Sequence, residues 1–265
     1  MMKKDSASYR MLKKFKRAYD AVFFLPLERY RNYQNLKHLV PLYKNKVVLD
    51  CGCGHGEMTY TLAKDAKLVY GIDIDPDSLR RAGEPLRGNQ KPNIVYKTGD
   101  ARRIPFSDNF FDFVFCSEVI EHVKNYGRVF KEISRVLKKG GKAYFTTPYK
   151  PMQEREYESY DDETKKKYLR WLKNVGHVRF GFDEEEITKA AKKTNFKVLR
   201  FEYAIKNWVN IKYYEFGLKM SDRWFWEIIG PALAPLETLY CLIFARNEVS
   251  TPGTGLGMRA LLEKK

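Results

Sequence analysis

Residues 47–57 read VVLDCGCGHGE: a β-branched run that ends on an acid, then three glycines at every second position. Directly after them comes MTYTLAK, a segment with helical character. Cys51, Cys53 and His55 invite a metal or redox reading. A zinc knuckle, however, wants two to four residues between its cysteines and a second ligand pair elsewhere. Here Cys51 and Cys53 are one residue apart, and Cys116 and Cys241 stand alone in apolar runs. A glycine turn between a strand and a helix offers something different: bare backbone that a ligand can approach, and unpaired N–H groups at a helix start. The spacing G-x-G-x-G also departs from the G-x-G-x-x-G dinucleotide fingerprint. The stretch therefore reads as a nucleotide-type loop whose function lies on Asp50, Gly52, Gly54 and Gly56.

Outward from the loop, short β-branched or aromatic runs alternate with helical segments. The runs are KVVLD (46–50), LVYGID (68–73), NIVYK (93–97), FDFVFC (111–116) and KAYFTT (142–147). Such alternation predicts an α/β fold with a mostly parallel sheet covered on both faces. In YGRVFKEISRVLKKGG, Val129, Ile133, Val136 and Leu137 share a helical face, and Gly140 stands where a C-terminal cap belongs. Acids end three successive strands. Asp73, twenty-one residues after Gly52, suits the hydroxyls of a ribose, and Asp100 could accept from an adenine amino group.

After residue 150 the alternation stops. Residues 150–182 are charged and aromatic and read as a substrate-side lid; a helix (183–195) and a strand (196–204) follow. The predicted organisation is a basic N-terminal helical arm or cap (1–40), a core (41–204) carrying that lid, an apolar lid insertion (205–252) and a final core strand (253–265). Within the insertion, IIGPALAPLETLYCLIF (228–244) has the apolarity of a membrane segment, but Pro231, Pro235 and Glu237 interrupt it. An ionised side chain near a bilayer centre costs roughly 2.5–3.5 kcal/mol. A packed lid, an interfacial segment and a span all stay open, with packing favoured.

The chain has 265 residues, 44% hydrophobic and 31% charged, the composition of a globular protein. Four scattered cysteines, and an opening MMKKDSASYRMLKKFKR without an apolar core, point to the cytoplasm, with peripheral membrane contact open. The net charge of +16 favours anionic partners. Nucleic acid, an anionic membrane surface and a phosphorylated small molecule all satisfy it, and oligomeric state is not legible.

The stretches VVLDCGCGHG, VYGIDIDPDSL, TGDARRIPFSDNFFDFVFCSEVIEHV and RVLKKGGKAYFTTP together resemble the class I S-adenosylmethionine-dependent methyltransferases. The resemblance covers roughly residues 46–148. It implies a three-layer, Rossmann-like, seven-stranded sheet, mostly parallel with an antiparallel last strand, and S-adenosyl-L-methionine lying across the strand ends. It would set Asp50, Gly52, Cys53, Gly54 and Gly56 around the methionine portion and Asp73 at the ribose, with Ile74 also among the cofactor-binding residues. Asp100 and Ala101 would take the adenine, and Cys116, Ser117 and Glu118 would form the floor beneath the sulfonium.

Methyl transfer from a sulfonium is an in-line displacement, so alignment and exclusion of water are the main demands on the protein. A hydroxyl or amine acceptor can also need a base or a metal ion. Glu118, Glu121 and His122 fall at i, i+3 and i+4, so a helix after the fourth strand would carry them on one face. His177 would approach from the lid. The E-x-x-E-H run is similar to that of ubiquinone-pathway O-methyltransferases and small-RNA 3′-terminal 2′-O-methyltransferases, whose matching residues coordinate a divalent cation. Three roles stay open: base or substrate contact, cation ligation, and hydrogen bonding at a helix start. For the whole chain the leading expectation is methylation of an oxygen or nitrogen of a small, lipid-like metabolite. RNA methylation is the runner-up, and a cofactor-binding partner subunit or membrane-docking module is the non-enzyme alternative.

Overall fold

The computed structural model describes residues 36–84, 91–205, 249–250 and 255–265. The expected arm before residue 36 and most of the apolar insertion, with its 228–244 run, lie outside them.

Eight strands form one sheet in the order β3-β2-β1-β4-β5-β8-β6-β7. They are β1 (Val47–Cys51), β2 (Leu68–Asp73), β3 (Ile94–Thr98), β4 (Phe111–Ser117), β5 (Leu137–Pro148), β6 (Phe196–Ile205), β7 (Val249–Ser250) and β8 (Gly255–Lys264). The first five are parallel, and the chain's last strand, β8, runs antiparallel between β5 and β6. The seven long strands are the expected seven. The eighth is the two-residue β7, which pairs with Tyr203 and Ala204 at the sheet edge and lies inside the stretch expected to be only insertion.

Both faces of the sheet are covered, which explains the nearly unbroken apolar runs of β1 and β4. One face gathers Leu49, Ile72, Val114, Phe130, Ile133 and Phe145; the other gathers Leu39, Tyr43, Val48, Phe113, Phe115 and Leu261. The helices are α1 (Val40–Tyr43), α2 (Glu57–Leu62), α3 (Pro76–Ala82), α4 (Tyr126–Val136), α5 (Lys150–Glu158), α6 (Asp162–Asn174) and α7 (Glu184–Lys193). From α4, Phe130 stacks on Phe145 with centroids 4.5 Å apart. That helix stops at Val136, short of the expected cap at Gly140. The carbonyls of Arg135 and Val136 accept from Asn109 and Phe110 N–H, and Leu137 is already extended. Gly140, with φ +73°, instead turns the chain at the irregular start of β5.

Residues 150–182 form the helical pair α5 and α6 and a return loop. Phe182 N–H donates to Pro148 O, Lys150 N–H to Phe182 O and Val178 N–H to Glu121 O, so the loop is stitched to the carboxyl ends of β4 and β5. No helix among the described residues is long and apolar enough to cross a membrane.

On the opposite face, Glu202 of β6 ties the segment before α1 to the sheet. Its carboxylate accepts from Tyr144 Oη at 2.8 Å and Arg200 Nε at 2.6 Å and meets His38 Nε2 at 3.2 Å. Burial opposes ionisation there, but those three donors outweigh it and hold the carboxyl down at about 2. A lowered folded value stabilises above the unfolded carboxylate range and is lost as pH falls through the folded value. Glu202→Gln is expected to cost about 2 kcal/mol at pH 7. The gap to wild type should narrow in urea melts as pH falls from 5 towards 2; a pH-independent gap would contradict this account.

Candidate active site

The glycine loop leaves β1 and is pinned to the end of β2. Gly52 and Cys53 N–H both donate to Ile72 O, at 2.8 and 2.9 Å, and Gly54 N–H donates to Asp73 Oδ2 at 2.8 Å. All three glycines have positive φ, yet their surroundings differ. A Cβ on Gly52 would overlap Val119, and one on Gly56 would overlap the Tyr96 hydroxyl. A Cβ on Gly54 would meet nothing within 4 Å. The open backbone that a ligand can touch is thus at Gly54, and the other two glycines answer to packing.

The acids divide in the same way. Asp50 is buried beneath the loop, where Thr59 Oγ1 of α2 donates to it at 2.6 Å, and burial pushes its carboxyl up to about 7. Asp73 ends β2 with one oxygen on Gly54 N–H and the other on Asp75 N–H at 2.9 Å, so each oxygen keeps a second lone pair. Ile74 beside it is 63% exposed, an apolar surface at the strand ends. The Asp100 carboxylate is clamped by Arg102, with Nη2 at 2.6 Å, which lowers its pKa; an adenine amino group would meet an existing ion pair. Ala101 packs on the core. Cys51, Cys53 and Cys116 are buried and free. The Cys116 thiol lies beside Cys51 in the core, so its side chain does not form the expected floor.

Past β4 the expected helical face does not form. Glu118 takes a left-handed φ of +53°, and its N–H donates to Thr146 O at 3.0 Å. The kinked chain then makes a single 3₁₀ turn over Ile120–His122, and Val123 is extended. The three side chains consequently differ in burial, although Glu121 Oε1 stays 3.9 Å from His122 Nε2. Glu121 turns inward with 0% exposure, whereas His122 stays partly open. Glu118 Oε1 accepts from Thr146 Oγ1 at 2.9 Å, and the Thr146 hydroxyl in turn pairs with Ser117 Oγ at 2.7 Å. Thr59 and Thr146 were not singled out in the sequence; the TTP at the end of β5 was the available signal for Thr146.

The loop after α6 brings His177 onto His122, rings perpendicular and 4.6 Å apart. Glu121, His122 and His177 can each offer one ligand atom within 4.8 Å of the others, and Glu118 is outside that trio. Neither Glu121 oxygen, nor buried His177 Nδ1, has a hydrogen-bond partner. Burial first, and Glu118 second, push Glu121 up to about 9; burial, then His122, pushes His177 down to about 4.

Residues 49–145, from the middle of β1 through most of β5, match the family model of a methyltransferase domain. A ubiquinone biosynthesis O-methyltransferase of Coxiella burnetii is 36% identical over 104 residues, 39% of this chain and 44% of that protein. A demethylmenaquinone methyltransferase of a Geobacillus species is 36% identical over 102 residues, 37% of this chain and 44% of that protein. The matched stretch thus spans less than half the length of these curated relatives. Among solved structures, phosphoethanolamine N-methyltransferase 2 of Haemonchus contortus, in complex with S-adenosyl-L-methionine, shares the fold with a TM-score of 0.61 at 23% identity, covering 89% of this chain and 52% of that one. The family match ends before α5, so the helical pair and the residues after it are outside the domain's common part.

A carboxyl whose folded pKa is raised stabilises below its unfolded value and loses that contribution as pH rises through the folded one. In buffer containing EDTA, Glu121→Gln should match wild-type stability near pH 5 and exceed it increasingly up to pH 9. Parallel pH profiles of the urea midpoint would rule out a buried, protonated Glu121.

Proposed function

We propose that the protein is an S-adenosylmethionine-dependent methyltransferase acting on an oxygen or nitrogen of a small, quinone-type, lipid-like acceptor. The observation that carries the cofactor half is the open backbone face of Gly54 next to the Asp73 carboxylate, at the carboxyl ends of β1 and β2. The cofactor fits this cradle: a side chain on Gly54 would intrude on it, and Asp73 has lone pairs left for two ribose hydroxyls. The quinone-type acceptor is supported by the two relatives, each named for a quinone pathway.

When bound, S-adenosylmethionine supplies an electrophilic methyl on a sulfonium. The chain's residues supply position. Asp73 would hold the ribose, Ile74 would offer an apolar surface to the base, and the Gly54 backbone would take the amino-acid end. Ser117, Thr146 and Glu118 form a hydrogen-bonded row at the ends of β4 and β5 that would meet the acceptor. His122, partly open and braced by His177, is placed to take a proton from an acceptor hydroxyl.

A second reading is favoured by the unpartnered oxygens of Glu121 and Nδ1 of His177. These two residues and His122 would hold a divalent cation, an N₂O donor set that suits zinc or a similar metal. The cation would polarise the acceptor oxygen.

Calorimetry with S-adenosylhomocysteine is expected to show binding to wild type, a loss of about 100-fold or more in Asp73→Ala and no binding in Gly54→Val. Cys51→Ala and Cys53→Ala should stay within a few-fold; an unaffected Asp73→Ala would overturn the cofactor assignment. Treatment with EDTA separates the roles of the trio. If a cation is used, turnover of a demethylated quinone stops while S-adenosylhomocysteine affinity holds; full turnover leaves His122 as the base.

A further inference from the structure

The glycine loop rests on a residue that no motif marks. In the sheet register Asp50 pairs with Gly71 and Gly71 with Tyr96, so the three stand in one row across β1, β2 and β3 and project to one face. Gly71 has no side chain, and the Tyr96 ring lies across the gap. A Cβ on Gly71 would stand 2.9 Å from Tyr96 Cδ1, 3.0 Å from Cε1 and 3.0 Å from Cys53 Sγ. The far end of the same ring reaches Gly56: a Cβ there would overlap the hydroxyl and stand 3.0 Å from Cζ. One tyrosine therefore occupies the side-chain space of a mid-strand glycine and of a loop glycine. Glycine inside a strand often marks close approach of another group, and here that group is the Tyr96 ring.

The loop needs such a support. Its first half is hydrogen-bonded to Ile72 and Asp73, whereas its second half closes only on itself and on α2, Gly56 N–H donating to Cys53 O and Gly56 O accepting from Tyr60 N–H, both at 2.9 Å, so its seat on the sheet is left to packing. A Cβ on Gly56 would meet, besides the Tyr96 hydroxyl and ring, only Ala82 Cβ at 3.1 Å among its three nearest atoms. The hydroxyl oxygen is buried and has no hydrogen-bond partner, so the arrangement is one of packing.

We infer that Tyr96 is a positioning residue: its ring, wedged between Gly71 and Gly56, sets the height of the glycine loop over the sheet and so the placement of the Gly54 backbone. Gly71 and Gly56 are glycines because the wedge fills their side-chain space.

The test is hydrogen exchange of the ligand-free protein, read peptide by peptide, with S-adenosylhomocysteine affinity as a second measurement that rests on the proposed methyltransferase function. In Tyr96→Ala, peptides over 52–57 should exchange about tenfold faster while those over β4 and β8 keep wild-type rates. Tyr96→Phe retains most of the ring and should change loop exchange by about twofold at most. Gly71→Ala should accelerate the loop by driving its methyl into the ring, and should add much less in the Tyr96→Ala background, where only its contact with Cys53 Sγ remains; this coupling also stands in if Tyr96→Ala alone is unstable. Affinity for S-adenosylhomocysteine should fall about tenfold in Tyr96→Ala. An unchanged loop, equal acceleration of every peptide, or additive effects of the two substitutions would overturn the inference. Failure of the wild type to bind S-adenosylhomocysteine would count against the proposed function alone, with loop exchange still deciding the role of Tyr96.

Discussion

Everything at the candidate site depends on how the chain leaves β1. Two consecutive amides, of Gly52 and Cys53, converge on one carbonyl, Ile72 O, and a third, of Gly54, reaches the carboxylate one residue on. Backbone N–H groups must find acceptors when buried. Pairing three of them to the end of β2 requires the positive φ angles that glycine supplies at little cost. The same bonds fix Asp73 beside the exposed face of Gly54, so one hydrogen-bonded turn both stabilises the loop and assembles the ligand cradle.

That dependence explains how much was legible in sequence. The strand runs, the acids at their ends and the glycine spacing are local signals, and they led to the correct strands, the parallel sheet and the loop at its carboxyl edge. The different jobs of the three glycines were not legible, because crowding at Gly52 and Gly56 comes from Val119 and Tyr96, distant in sequence. Cys116 shows the same limit: its place at a strand end is local information, but the direction of its thiol into the core, beside Cys51, is set by the β1–β4 register.

The acid and histidine cluster was half legible. The spacing of Glu118, Glu121 and His122 suggested a shared helical face, and the left-handed residue at Glu118 breaks it. Helical periodicity applies only where helical dihedrals continue, and the strand-to-turn kink, fixed by Thr146, ends them after one turn. What the kink creates is a buried carboxyl at Glu121 whose oxygens make no hydrogen bond yet face two histidines, His122 Nε2 at 3.9 Å. A buried polar group without a partner is costly. Such cost, next to the exposed edge of His122 and under a loop stitched on by Val178, is what sets this corner apart from the rest of the strand ends.

The central claim is that a nucleoside-bearing ligand lies on the open face of Gly54 with its ribose on Asp73. A structure determined with S-adenosylhomocysteine bound tests it most directly. The account predicts both ribose hydroxyls within hydrogen-bonding distance of the Asp73 carboxylate and the amino-acid end against the Gly54 backbone. Its sulfur should point towards the Ser117, Thr146 and Glu118 row. A bound ligand located away from Gly54, with Asp73 still bonded only to the loop amides, would contradict it.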